Sequence, residues 1–216
     1  AVDRVGRFWN STRVAASPGL KATDLFRAVA DGRIKALWVM ATNPADSMPA
    51  ADEVRAALAA CPFLVVSDMN AHTDTVREAH VRLPATGWGE KDGTVTNSER
   101  RISRQRAFLP APGEAKPDWW IITQVARRMG FAGFDYERPA DIFAEHVALS
   151  AFENEGRRDF DLSGLAGADY ETLEPVQWPV RRHGTARLFG EGGYFTASGR
   201  AQMLPIVPPP PLSPLP

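Results

Sequence analysis

The chain has 216 residues, 44% of them apolar and 24% charged, with a formal net charge of -1. That length suits one large α/β domain, or one domain with an appendage, and the near-neutral balance excludes the basic field that nucleic acid selects. A single cysteine, Cys61, excludes an internal disulfide or a zinc or iron–sulfur site, and no apolar run reaches the roughly 18 residues of a membrane helix.

The first candidate helix is Lys21–Asp31, capped by Thr23, with Leu25, Phe26 and Val29 on one face and Gly32 as its stop. The apolar run Ala36–Thr42 is too short for a stable helix and reads as a buried parallel strand. A helix over Pro49–Ala60 follows, with proline near its first turn, and Cys61-Pro62 stops it. Phe63–Asp68 is a second buried strand, Thr73–Ala79 a short helix and Val81–Ala85 a third strand. This alternation predicts a Rossmann-like parallel sheet flanked by helices.

From Gly87 to Pro117 the chain is polar, without clear periodicity, and reads as a long loop of the kind that is either functional or disordered. Helices are expected over Asp118–Met129, capped by Asp118, and over Pro139–Phe152. Beyond Glu153 an irregular C-terminal extension is expected, with a hairpin in Arg187–Met203. Pro208–Pro211 opens a stiff linker. The expected organisation is therefore an α/β domain over 1–152, an extension over 153–207 and a proline-rich segment over 208–216.

Ligands of a parallel α/β sheet sit beyond the carboxyl ends of its strands. Thr42-Asn43 and Ser67-Asp68 occupy two such ends. An aspartate there can accept paired hydrogen bonds from ribose hydroxyls or from a guanine edge, and an asparagine offers both a donor and an acceptor. Both residues are equally suited to simple turns. No G-x-G-x-x-G or G-x-x-x-x-G-K-[ST] loop is present. His72, His80, His146 and His183 are scattered, which leaves no metal-binding spacing, and no serine nucleophile elbow occurs. Gly89–Arg101 crowds charges of both signs around two glycines. Lys91 in it is a point charge suited to a phosphate or ring carbonyl, or an ordinary solvated side chain.

Leu83–Gln105 (LPATGWGEKDGTVTNSERRISRQ) and Ala111–Phe131 (APGEAKPDWWIITQVARRMGF) resemble the third domain of the DMSO-reductase superfamily of molybdopterin oxidoreductases. ALWVMATNPADSMP and CPFLVVSDMNAHTDT match the same domain at its strand ends. RRHGTARLFGEGGYFTASGRAQMLP is similar to the approach to the fourth domain in assimilatory nitrate reductases. The tract Ser67–Val81 departs from many relatives in being more polar, through Arg77 and Glu78.

The resemblance covers nearly the whole chain and implies an internal piece of the catalytic subunit of an assimilatory nitrate reductase. Such an enzyme reduces nitrate to nitrite in the cytoplasm with bis-molybdopterin guanine dinucleotide. It implies that Asn43, Ser67, Asp68, Lys91 and Asp118 touch that cofactor, and that no catalytic or metal-ligating residue lies in this chain. Asp68 and Asp118 would pair with guanine or ribose donors, Ser67 and Asn43 would fix orientation, and Lys91 would meet anionic or carbonyl groups. A [4Fe-4S] cluster belongs to the parent enzyme but not to this chain. The implied partners are the molybdenum cofactor, the remaining domains and an electron donor protein or domain, with no nucleic acid and no membrane. The chain alone is expected to be an inactive excised piece. Two alternatives stand beside this reading: a formate dehydrogenase α subunit, which shares the DGTxTNxERR-like loop, and a non-catalytic interaction module. The latter would use Pro208–Pro211 and Pro211-Leu212-Ser213-Pro214 to dock an SH3-like groove.

Overall fold

The apolar run after Lys35 is extended, as its length and composition predict, in the computed structural model, which describes residues 2–208. It forms β1 (Ala36–Met40), which pairs in parallel with β2 (Phe63–Asp68), and β2 in turn with β3 (Val81–Pro84), in the order β1-β2-β3. The register sets Trp38 beside Val65, Met40 beside Ser67 and Asp68 beside Pro84. Burial is less complete than expected for a strand covered on both faces. The central β2 buries Leu64, Val66 and Ser67 and β1 only Val39, while Phe63 at the start of β2 is 49% exposed and β3 has no buried residue.

Helices pack on this sheet. α1 (Val2–Phe8), which apolar periodicity did not reveal, lies away from it, beside the helix over Pro139–Ala151. Phe8 meets Phe152 edge-on at 5.4 Å and Trp9 Nε1 donates to Glu145 at 2.8 Å. α2 (Ala22–Ala30) ends at Gly32 as expected, in the left-handed region that glycine adopts without strain. Its start differs: Lys21 occupies the cap position without a side-chain bond, and Thr23 lies inside the first turn. A short α3 (Pro44–Ser47) that the sequence did not reveal precedes the helix expected over Pro49–Ala60, which forms as α4 (Ala51–Ala60) with Ala50 at its cap position in the left-handed region. α5 (Asp74–Arg77) is capped by Thr73, whose hydroxyl accepts from Val76 N at 3.2 Å. The core these elements share contains Phe26, Val29, Val39, Val54, Leu58, Cys61, Leu64, Val66 and Val76.

The stretch 87–117 is not a structureless loop. A single 3-10 turn over Trp88–Glu90 leads into β4 (Gly93–Thr96), which pairs antiparallel with β5 (Arg101–Gln105). After α6 (Asp118–Arg128) and α7 (Pro139–Ala151), the short β6 (Val176–Gln177) joins the far side of β5. This second sheet and α7 share their own core of Ile102, Phe143, Val147, Leu162, Tyr170, Leu173 and Val180, drawn from both sides of the boundary expected at 152/153. Arg104 is part of it: its side chain is 3% exposed, its guanidinium lies 3.9 Å from the Tyr170 ring, and it pairs with Glu171 at 2.9 Å.

The hairpin expected over 187–203 is absent, and no strand forms there among the described residues. Phe189, Gly192, Gly193 and Gly199 all have positive φ, which breaks any ladder, and Phe189 stacks on Tyr194 at 4.6 Å instead. Most of the proline-rich segment, including Pro211-Leu212-Ser213-Pro214, lies outside the described residues. Among the described residues no helix is long and apolar enough to cross a membrane.

Candidate functional site

Because β1, β2 and β3 run in parallel, their carboxyl ends open on one edge of the sheet. There the segments Ala41–Asn43, Asp68-Met69 and Ala85–Trp88, with Lys91 and Asp118, line a groove of about 390 Å³. Four of the sequence-predicted contacts, Asn43, Asp68, Lys91 and Asp118, therefore meet on one rim. The fifth does not.

Ser67 is fully buried, and its Oγ accepts from Trp38 Nε1 at 2.8 Å. Side chains alternate along a strand, so the neighbours Ser67 and Asp68 project to opposite sides of the sheet. Ser67 belongs to the interior, and its placement at the rim is corrected accordingly.

Asn43 sits at the cap position of α3, yet its side chain points elsewhere. Its Oδ1 accepts from Thr75 N at 3.1 Å and from Thr75 Oγ1 at 2.7 Å, while Thr75 Oγ1 accepts from Ala45 N at 3.1 Å. The acceptor end of the amide is thus occupied within the fold, and the Nδ2 donor end is what a ligand can use. Asp68 makes the turn the sequence allowed and also stands at the groove. Its Oδ1 accepts from Asn70 N at 2.9 Å, an Asx turn, and the carboxylate also lines the groove. Ala41, at the start of this edge, has a φ of 53° and turns the chain out of β1 toward Asn43.

Lys91 and Asp118 form the far wall. Lys91 Nζ lies 3.2 Å from Asp118 Oδ2, with each side chain 29% exposed. Asp118 was expected to cap α6, but the cap position is Pro117 and no side-chain cap bond forms. As the first residue of the helix, its carboxylate is directed to Lys91 instead. Its Oδ1 is buried without a hydrogen-bond partner among the described residues, as is Oγ1 of Thr86 in the same groove.

Sequence reasoning missed Thr86 and Trp88. The rule that found Asn43 and Asp68 applies equally to the end of β3 and would have pointed to both. Two carboxylates, one ammonium, an amide donor and an unsatisfied hydroxyl around an apolar floor suit a ligand with both donor and acceptor edges and an anionic portion. That donor set fits a guanine nucleotide. It does not fit a bare metal, and no cluster of His, Cys, Asp or Glu able to hold one occurs among the described residues.

Comparison with known proteins agrees with the fold. The family model for molybdopterin oxidoreductases matches residues 2–128. The chain is 50% identical over 211 residues to a nitrate reductase of Klebsiella oxytoca, covering 96% of this chain and 24% of that protein. A nitrate reductase of Shewanella frigidimarina is 47% identical, covering 91% of this chain and 22% of that protein. A putative formate dehydrogenase of Bacillus subtilis is 40% identical over 157 residues, covering 73% of this chain and 15% of that protein. The chain thus spans about a quarter of the length of the nitrate reductases it matches. Among solved structures, the acetylene hydratase of Pelobacter acetylenicus shares the fold with a TM-score of 0.59. The identity is 21%, over 82% of this chain and 23% of that one. By the extent of the family match, reinforced by these relatives, the chain belongs to the molybdopterin oxidoreductase family.

Proposed function

We propose that this chain forms one wall of the molybdopterin guanine dinucleotide site in a cytoplasmic, nitrate-reducing oxidoreductase. The observation that carries this reading is the meeting of Asn43, Asp68, Lys91 and Asp118 on one groove at the carboxyl edge of the parallel sheet. Asp68 and the free oxygen of Asp118 accept from ribose or base donors, the Asn43 amide orients the ligand, and Lys91 supplies positive charge beside its anionic or carbonyl groups. The buried polar atoms without partners support a ligand that completes them.

When bound, the molybdenum cofactor supplies oxygen-atom transfer, the chemistry that takes nitrate to nitrite. The residues of this chain bind and orient its nucleotide end. The remaining domains of the parent complete the cradle, hold its [4Fe-4S] cluster and receive electrons from a donor protein or domain. The chain alone is therefore inactive. The 50% and 47% identities to two nitrate reductases favour nitrate as substrate, and the 40% identity to a putative formate dehydrogenase keeps formate as the second reading.

The test is a full-length parent enzyme carrying Lys91→Met or Asp118→Asn, assayed for nitrate reduction, formate oxidation and guanine nucleotide released on denaturation. We expect the unmodified parent to reduce nitrate and release guanine nucleotide, and both variants to lose most of that nucleotide along with activity. Turnover of formate alone overturns the substrate, and full nucleotide content in both variants overturns the site.

A further inference from the structure

Two buried polar atoms in the groove have no hydrogen-bond partner among the described residues: Oγ1 of Thr86 and Oδ1 of Asp118. Thr86 is 3% exposed, and both residues line the groove. A buried hydroxyl left unpaired lowers the stability of the chain that contains it. Such an atom is accounted for when something outside the chain completes it.

The backbone sets the two residues close together. β3 is prolonged by a parallel bridge between Ala85 and Lys116, in which Lys116 N donates to Pro84 O at 3.1 Å and Thr86 N donates to Lys116 O at 3.1 Å. Thr86 is thereby bonded to the residue two positions before Asp118. Lys91 takes the Oδ2 oxygen of Asp118, so Oδ1 is the one available to a ligand. A carboxylate oxygen only accepts, whereas a threonine hydroxyl can donate.

We infer that Thr86 is a specificity-determining residue of this groove. Its hydroxyl donates to a ring carbonyl while Asp118 Oδ1 accepts from the adjacent ring N–H, so that together they read the lactam edge of a 2-amino-4-oxopyrimidine. The inference rests on the proposed reading of the groove as a dinucleotide site. Guanine and the pterin end of the cofactor both present that edge. Adenine places an amino group where the carbonyl belongs and a bare nitrogen where the N–H belongs, which opposes donor to donor and acceptor to acceptor.

The test is calorimetric titration of the 216-residue chain with GDP, ADP and 6-hydroxymethylpterin, in the unmodified form and as Thr86→Val, Thr86→Ser and Asp118→Asn. Expected are binding of a lactam ligand, ADP weaker by about tenfold or more, a loss of about tenfold in Thr86→Val, and retention in Thr86→Ser. Ligand-free Thr86→Val should also melt about 2–4 °C higher, because an unpaired buried hydroxyl has been removed. A merely structural threonine would instead lower the melting temperature. Preference for GDP supports the inference with the nucleotide end as occupant, and preference for the pterin supports it with the pterin end. ADP bound as tightly as GDP overturns it. Unchanged GDP binding in Thr86→Val, with Asp118→Asn weakened, overturns the role of Thr86 and leaves the groove reading standing. An unmodified chain that binds neither lactam ligand overturns both.

Discussion

Thr75 is the side chain on which the first strand end depends. Fully buried, it donates to Asn43 Oδ1 and accepts from Ala45 N, so a single hydroxyl joins α5 to the start of α3. Replacing it by valine keeps the shape but leaves the Ala45 N–H unpaired and removes one bond from Asn43. The expected loss is about 1–3 kcal/mol, read as a lower urea midpoint, with Thr75→Ser close to the unmodified chain. Sequence had marked Asn43 for its position after β1, and the groove contains it. What the letters do not carry is which end of its amide is committed internally, since that depends on a partner 32 residues away. Ser67 was misplaced for a simpler reason. It adjoins Asp68, and strand parity, which was available in the sequence, puts only one of the pair at the rim.

Elements with strong apolar periodicity were legible, and those stabilised by polar side chains were not. β1, β2, β3 and the helices α2, α6 and α7 follow runs of Leu, Val, Ile, Phe and Trp, and their ends agree with the glycine stops at Gly32 and Gly130. The β4–β5 hairpin was hidden because its interior is reached by one buried isoleucine, Ile102, and by a buried arginine, Arg104. A strand whose inward side chains include a guanidinium reads as a solvated loop. Conversely, a hairpin was expected over 187–203, but Gly192, Gly193 and Gly199 adopt left-handed conformations there.

On α7, the element also carries a pH response. His146 packs 5.2 Å from Phe160, and burial holds its imidazole below its ordinary value. The folded chain therefore binds this proton less readily than the unfolded chain does. Stability is unaffected well above the ordinary histidine range and is lost as pH falls through it toward the depressed folded value. A urea midpoint measured at about pH 7.5 and about pH 5.5 should drop on acidification, and His146→Phe should flatten that slope. An equal slope in the variant would assign the loss to other groups.

Across the whole molecule, two cores lie along one chain, one beneath the parallel sheet and one between α7 and the antiparallel sheet. The groove draws on the edge of the first sheet and, through Lys91, on the segment leading into the second. That arrangement explains why resemblance at separated stretches of sequence pointed to a single site: strand ends far apart in the chain are brought together by parallel pairing.

The bridge between Ala85 and Lys116 has a consequence for how this chain can be watched at work. Two amides, those of Thr86 and Lys116, fasten the segment carrying Asp118 to the outer strand β3. Their exchange with deuterated solvent reports each parting of the two lips, so they act as a gauge of aperture that needs no label. Saturating GDP should slow both amides while leaving Leu64 and Val66, deep in β2, unchanged. Uniform slowing throughout β2 would mean instead that the nucleotide stabilises the fold globally and leaves the aperture itself alone.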